Sequence, residues 1–494
     1  MKTRRAISST AIGLLIVGLL VGAGISYALV ATTITPSTST VTSTATTTVS
    51  GGGTQTVTST VTATSTATSA QQQPGSPGVE EASPEYLANI AAISPLCQSN
   101  TKITIGVLSD LSDGLSYEGV RVANSTRLAA SNINAELSAI GCKVTFAADV
   151  EDYALDSTKA TQIMNSWASA GVQVVVGPLN SGTARVIVST ANSDHIVLIS
   201  PSSTAVGLHI VGDYLFRTAP ADTWQGQADA RELWSLGIKA IVVAQIHDFY
   251  GDGLAQATAS DFAALGGHVV NNGSFVQWND PPASGFQTTA ATQINTDYAQ
   301  AVSTYGASKV AVYIIGFDEV GQVIAQAQTD GYSSLLTSVW FGSDGTATDT
   351  DISNHTANAA EATAALGVKL PSTEYAAFNS PLLTAWSARF QKSSGFVADG
   401  YAIGGYDDFW LGALTILAVG QNNGQMVHDN IIRISQGLFG VSGWMGLDAA
   451  GDRIPYNGYD VWQITSTLTS GVYQWAIVGH WNVNDTITWT KPPI

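Results

Sequence analysis

From Lys102 onward, short apolar runs alternate with segments of helical period, and no other feature limits the fold so tightly. KITIGVLS is followed by GVRVANSTRLAASNINAEL, in which Val122, Thr126, Ala129, Ile133 and Leu137 share one helical face. KVTFAADV, a helix near Ser157 to Ala168, VQVVVG, a helix near Gly182 to Ala191, and IVLIS continue the series. Strands feeding helices in this order predict a parallel sheet covered on both faces. After YLFRTAPAD a second series begins. It has a helix to about Leu236, KAIVVAQIH, a helix from Asp252 to Leu265, and GHVVNNGSF as a strand. A helix near Thr289 to Tyr305, KVAVYIIGF and a further helix before SVWFGSD complete it. The expected fold class is α/β, with two doubly wound parallel-sheet lobes in tandem. Ligands of such sheets bind beyond the carboxyl ends of the strands, in a cleft.

The C-terminal third adds no third lobe. EYAAFNSPLLTAWSARFQ and YAIGGYDDFWLGALTILAVG read as helices, VSGWMGLDAAGD as a strand and turn, and YDVWQI and VYQWAIVG as strands. As returns to both lobes they make several crossings, which together form a hinge. The expected ligand-binding domain spans residues 79–494, with lobe 1 at about 101–221 and 376–455 and lobe 2 at about 222–375 and 456–480.

Ahead of this domain, a basic cluster precedes an apolar run from about Ala11 to Val30, so residues 1–30 read as a signal or membrane-anchor segment. Small residues at Ser26 and Ala28 suit cleavage after Ala28. Arg4-Arg5-Ala6-Ile7 instead resembles the pilin-like signals of archaeal surface proteins, whose cleavage leaves the run attached. Roughly 20 apolar residues span a bilayer, and the anchored product is the one expected. Residues 31–78 are a Ser/Thr-rich low-complexity stretch, too poor in large apolar side chains to offset its ordering entropy, and read as a disordered stalk.

Charged residues make up 11% of the chain and the net charge is -18. Nucleic acid is not an expected partner, because neutralising phosphates takes clustered Lys and Arg. Cys97 and Cys142 lie just ahead of two strands expected to be neighbours, where either a disulfide or a pair of buried thiols fits. Sequons at Asn124, Asn272, Asn354 and Asn484 mark possible glycosylation and suit an exported glycoprotein. His195, His209, His247, His268, His355, His428 and His480 are scattered without metal spacing, and the motifs HExxH, P-loop and GxSxG are absent from the sequence. Neither enzymatic activity, a metal nor a cofactor is expected.

Two turns of small hydroxyl residues close the strands of GVQVVVGPLNSGTARVIVSTANSDHIVLISPSST. Helix N-termini there offer unpaired N–H groups and a positive dipole end, a site for an anion without Lys or Arg. Taken singly, each turn is equally explained by N-capping. The motifs IGVLSDLSDGLSYEG, VVVGPLNSGTA, ISPSST, YLFRTAPADTWQG, HDFYGDG, YDDFWLGALTILA and GVSGWMGLDAAGDR occur in this order over about Lys102 to Gly479. Together they resemble the branched-chain amino acid (Leu/Ile/Val) type substrate-binding proteins of ABC transporters. These are periplasmic-binding-protein type I proteins related to receptor ligand-binding regions.

That resemblance implies an amino-acid carboxylate held by Ser181, Ser202 and Thr204, and an ammonium held by Asp344 from the opposite lobe, with Asp222 a second candidate. It places Tyr117, Tyr250 and Phe317 as aromatic walls. Asn180 and Gly182 at the carboxylate turn do not fix the ligand, because the family also takes amides, urea and aromatic acids. The expected function is extracytoplasmic capture of a small polar ligand, branched-chain by default. The ligand then passes to an ABC permease, with the chain anchored at the cell surface. A surface structural, adhesion or sensory role without transport is the alternative.

Overall fold

Strands that are buried on both faces must be apolar along their whole length, because helices cover each side. In the computed structural model, which describes residues 94–493 and two further strands between 39 and 63, the apolar runs occupy the centres of two such sheets. Lobe 1 is built from β3 (Lys102–Ser109), α1 (Ser116–Ala139), β4 (Thr145–Asp152), α2 (Ser157–Ala170), β5 (Val174–Val176), α3 (Ser181–Asp194), β6 (Val197–Ser200) and β7 (Leu215–Arg217). Its sheet is parallel throughout, in the order β4-β3-β5-β6-β7. The order reverses between β3 and β5, which opens a crevice at their carboxyl ends.

Lobe 2 repeats the plan with α4 (Asp222–Ser235), β8 (Ala240–His247), α5 (Phe249–Ala264), β9 (His268–Val269), β10 (Val276–Asn279), α6 (Phe286–Tyr305), β11 (Val310–Ile315), α7 (Glu319–Thr329), β12 (Val339–Phe341) and α8 (Ala359–Val368). The order is β10-β8-β11-β12, with β9 also on β8. GHVVNNGSF is therefore not one strand. A 3-10 turn at Val270–Gly273 divides it, where Asn271 and Gly273 adopt positive φ.

The chain then returns through β13 (Ser372–Tyr375), α9 (Pro381–Ser394), α10 (Gly400–Val419), α11 (Gly424–Ser435), the short β14 (Phe439–Gly440) and β15 (Gly443–Trp444), and finally β16 (Tyr459–Thr469), β17 (Val472–Asn482) and β18 (Thr486–Trp489). The segment EYAAFNSPLL is not helical at its start. Glu374 and Tyr375 pair with Asp460 and Tyr459, and helix α9 begins only where Ser380 accepts the Leu383 N–H and Pro381 opens the first turn. Helix α10 is long and apolar enough to cross a membrane, yet it is buried among the lobe 1 helices and strands, which explains its all-round hydrophobicity. β13, β16, β17 and β18 form a four-stranded antiparallel sheet, an element the sequence reading did not assemble.

Most of the buried apolar side chains fall into two cores. One joins residues between Cys97 and Phe216 to those between Leu382 and Leu447, and the other joins Ala230 to Leu370 with Val461, Ile464 and Val478. The chain passes between them three times. The crossings are knitted together. Arg217 on the first is fully buried and donates to both oxygens of Asp452 on the third, at 2.7 and 2.5 Å. Ala376 N–H on the second donates to Gly458 O at 3.0 Å.

Cys97 and Cys142 are joined in a disulfide, with Cα atoms 4.3 Å apart. β1 (Ser39–Val49) and β2 (Gly53–Ala63) pair antiparallel as a separate unit, so part of the stretch read as a disordered stalk is a ribbon. Its Thr and Val are β-branched and favour extended backbone. The rest of that stretch and the signal or anchor segment lie outside the described residues. Of the sequons, Asn124 sits half-buried in α1 with its amide bonded to Val120 O, whereas Asn484 is exposed in the turn before β18. Asn354 is half-buried, and the Asn272 side chain lies outside the described residues.

Candidate functional site

The lobe 1 wall of the cleft is made by the turns after β5 and β6. Gly177 ends β5 at φ +106°, and a Cβ there would meet Leu108 O at 2.3 Å, so only glycine lets this turn pack on β3. The chain then enters α3 at Ser181, whose hydroxyl accepts the Ala205 N–H at 3.1 Å. Ser200 and Ser202 donate to Pro178 O at 2.6 Å and Leu179 O at 2.8 Å. The hydroxyls of one turn thus hold the backbone of the other. Thr204 Oγ1 is buried without a hydrogen-bond partner among the described residues and borders the cleft.

The lobe 2 wall is set by Asp344, just beyond β12. The Tyr250 hydroxyl donates to Asp344 Oδ1 at 2.5 Å, and the Tyr250 ring stacks on Phe317 at 5.6 Å. Half-buried Phe317 packs against both cores. Burial raises the pKa of Asp344, with bonds from Tyr250 and Gln225 acting the other way. A ligand ammonium would supply the charge this carboxyl lacks.

The two walls meet. Tyr117 donates to Gly345 O at 3.0 Å and Tyr401 to Asp344 O at 2.5 Å, each hydroxyl reaching from lobe 1 to lobe 2. Between the walls remain two cavities of about 30 and 20 Å³. Each has space for about one water molecule, so a larger molecule enters only when the lobes part. Ser202, Asp344 and Tyr401 border both cavities, Thr204 the larger, and Ser181, Tyr250 and Phe317 the smaller.

Two candidates are placed differently. Tyr117 lines neither cavity and acts as a clamp across the lobes. Asp222 opens α4 fully buried, away from both cavities. Burial and then the Asp344 charge raise its pKa well above the usual range, and the Thr204 hydroxyl acts the other way.

The family model for the receptor family ligand binding region matches residues 121–467. The chain belongs to this family. An uncharacterized protein of Methanocaldococcus jannaschii is 29% identical over 406 residues, covering 78% of this chain and 91% of that one. The Leu/Ile/Val-binding protein of Escherichia coli K12 is 26% identical over 307 residues, 61% of this chain and 76% of its own. A leucine binding protein from Thermotoga maritima superposes with TM-score 0.61 at 21% identity, over 76% of this chain and 98% of that one. The fold is that of type I periplasmic binding proteins.

Within this family fold, the sequence reading missed Glu118, Gln225, Glu374, Tyr401 and Tyr459 as cleft residues. Glu118 stands beside Tyr117 in LSYEG and is nearly buried, its pKa raised well above normal by burial and eased by the nearby Ser202 hydroxyl. Tyr401 lies in a run that reads as plain core helix, and nothing in its pattern marks the hydroxyl.

Proposed function

We propose that this chain is the solute-binding component of an ABC importer and that it holds a small ligand bearing both an ammonium and a carboxylate. The observation that carries the reading is Asp344, buried with Tyr250 on one lobe and bordering the same cavity as Ser181 and the α3 N-terminus on the other. An α-amino acid matches that polarity, its carboxylate toward the helix end and its ammonium toward the aspartate. The apolar rings of Tyr250 and Phe317 favour an aliphatic side chain, and the binding of leucine by a fold relative agrees with a branched-chain ligand.

Ligand held by one lobe gains its remaining contacts only when the other closes, so binding shifts the population toward the shut form. A membrane permease would read that form. The basic cluster and apolar run at the N-terminus support anchoring outside the cytoplasm, and the Cys97–Cys142 disulfide suits an oxidising space. No chemical step is required of any residue.

Calorimetric titration of the full chain with amino acids, amides and urea tests the proposal. Binding of one amino acid class, weakened at least tenfold (about 1.4 kcal/mol) by both Ser181→Ala and Asp344→Ala, is the expected result. No heat from any amino acid, or binding indifferent to both substitutions, would remove this cleft as the site.

A further inference from the structure

A far larger cavity, of about 530 Å³, shares Glu374, Tyr375 and Gly400 with the larger front cavity and extends from them to the C-terminal sheet. One wall is a face of the C-terminal antiparallel sheet. Strand register sets it: Glu374 is opposite Asp460, Asp460 is opposite His480, and beyond a bulge Trp462 is opposite Ile477, so these side chains share one face. The facing wall is lobe 1, with Leu383 and Ser387 one turn apart on α9 and Asp399 at the head of α10.

The polar groups of this cavity are unequally satisfied. His480 Nδ1 and Asp460 Oδ1 are 2.7 Å apart, and Arg121 lies 3.0 Å from Asp399. Glu374 differs. It is 3% exposed, its Oε1 accepts the Gly400 N–H at 2.8 Å, and its Oε2 has no partner among the described residues. Among the described residues neither lysine nor arginine lines the cavity. Burial and then the nearby Asp399 charge raise the Glu374 pKa well above the usual carboxylate range, and the residue borders a space large enough for a molecule and walled by an indole, a leucine and an isoleucine.

We propose that this rear cavity is a second ligand site, for a small organic cation with an apolar body, whose ammonium donates to Glu374 while its apolar part packs against Trp462 and Leu383. With Asp460 paired to His480 and Asp399 beside Arg121, Glu374 is the carboxyl that an incoming cation would allow to ionise. This matches a monocation and not a metal ion, which would demand several free oxygens. The walls come from both lobes, so an occupant also bears on their relative angle.

Benzylammonium chloride is the probe, with benzyl alcohol as its neutral counterpart, each titrated calorimetrically into the full chain. One equivalent of benzylammonium should bind, benzyl alcohol at least tenfold more weakly. Glu374→Gln should weaken benzylammonium at least tenfold, and Ser387→Trp, which fills the cavity from α9, should abolish it. Ser387→Phe serves the same purpose if the tryptophan variant does not fold by circular dichroism. Glu374 also borders the front cleft, where Asp344 is the proposed ammonium partner, so Asp344→Asn provides the control and should leave benzylammonium binding unchanged. The proposal is overturned if wild type does not bind the probe, or if benzyl alcohol binds equally. It also fails if binding survives the filling variants or is lost in Asp344→Asn, either of which would place the probe outside the rear cavity.

Discussion

At the residue scale the protein is distinguished by carboxyl groups buried with hydroxyl partners in place of cations. Asp229 is fully buried and accepts from the Tyr313 hydroxyl at 2.5 Å. Burial pushes its pKa up to about 8, and Glu319, held by Trp278 and the Phe317 N–H, also reaches about 8. The sign follows from proton binding. Between the ordinary carboxylate range and about pH 8 the folded state keeps these protons and the unfolded chain releases them, so stability falls as pH rises. The contribution is whole below the unfolded pKa and gone above about 8, at up to about 1.4 kcal/mol per pH unit for each group. Thermal unfolding should therefore come at a lower temperature at pH 8 than at pH 5. Asp229→Asn, which keeps an acceptor for Tyr313, should flatten the difference; an unaltered slope would show that Asp229 titrates normally.

At the element scale, the crossings matter more than any one helix or strand. Arg217 joins the end of β7 to the third crossing through Asp452, and its Nη1 also donates to Ser203 O and Ala205 O at 3.2 and 2.9 Å. The same guanidinium thus pins the hinge and the turn that carries Ser202 and Thr204. Removing one partner of a buried pair strands the other charge, at a cost of about 3–5 kcal/mol. Arg217→Met should lower the unfolding midpoint by that equivalent in denaturant titration. Arg217→Met with Asp452→Leu should recover part of the loss, because the stranded carboxylate goes with it. A double variant no more stable than the single one would assign the cost to the lost turn carbonyl bonds alone.

At the scale of the whole molecule, two hydroxyls hold the cleft shut. Tyr117 and Tyr401 each bond a lobe 2 carbonyl, and neither bond exists once the lobes part. Tyr117→Phe with Tyr401→Phe should enlarge the radius of gyration in small-angle scattering of ligand-free protein, and ligand should restore part of the closure. An unchanged radius would mean that the hinge, not the tyrosines, sets the angle. The sequence by itself determined the two parallel α/β lobes, because strands such as VQVVVG, IVLIS and KVAVYIIGF between amphipathic helices have no other way to bury their faces. Through its resemblance to a known family it also suggested Ser181, Ser202, Thr204, Tyr250, Phe317 and Asp344, which lie just beyond strands, where α/β sheets bind ligands. Local pattern did not reach the antiparallel sheet that takes in Glu374 and Tyr375, the split of GHVVNNGSF, or the burial of Asp222 beside the cleft and not in it. Those were decided by pairing between segments as distant as Glu374 and Asp460, and by which lobe each returning segment packs against. Register and lobe contact depend on the whole chain, and residue periodicity reports only which face of an element is apolar.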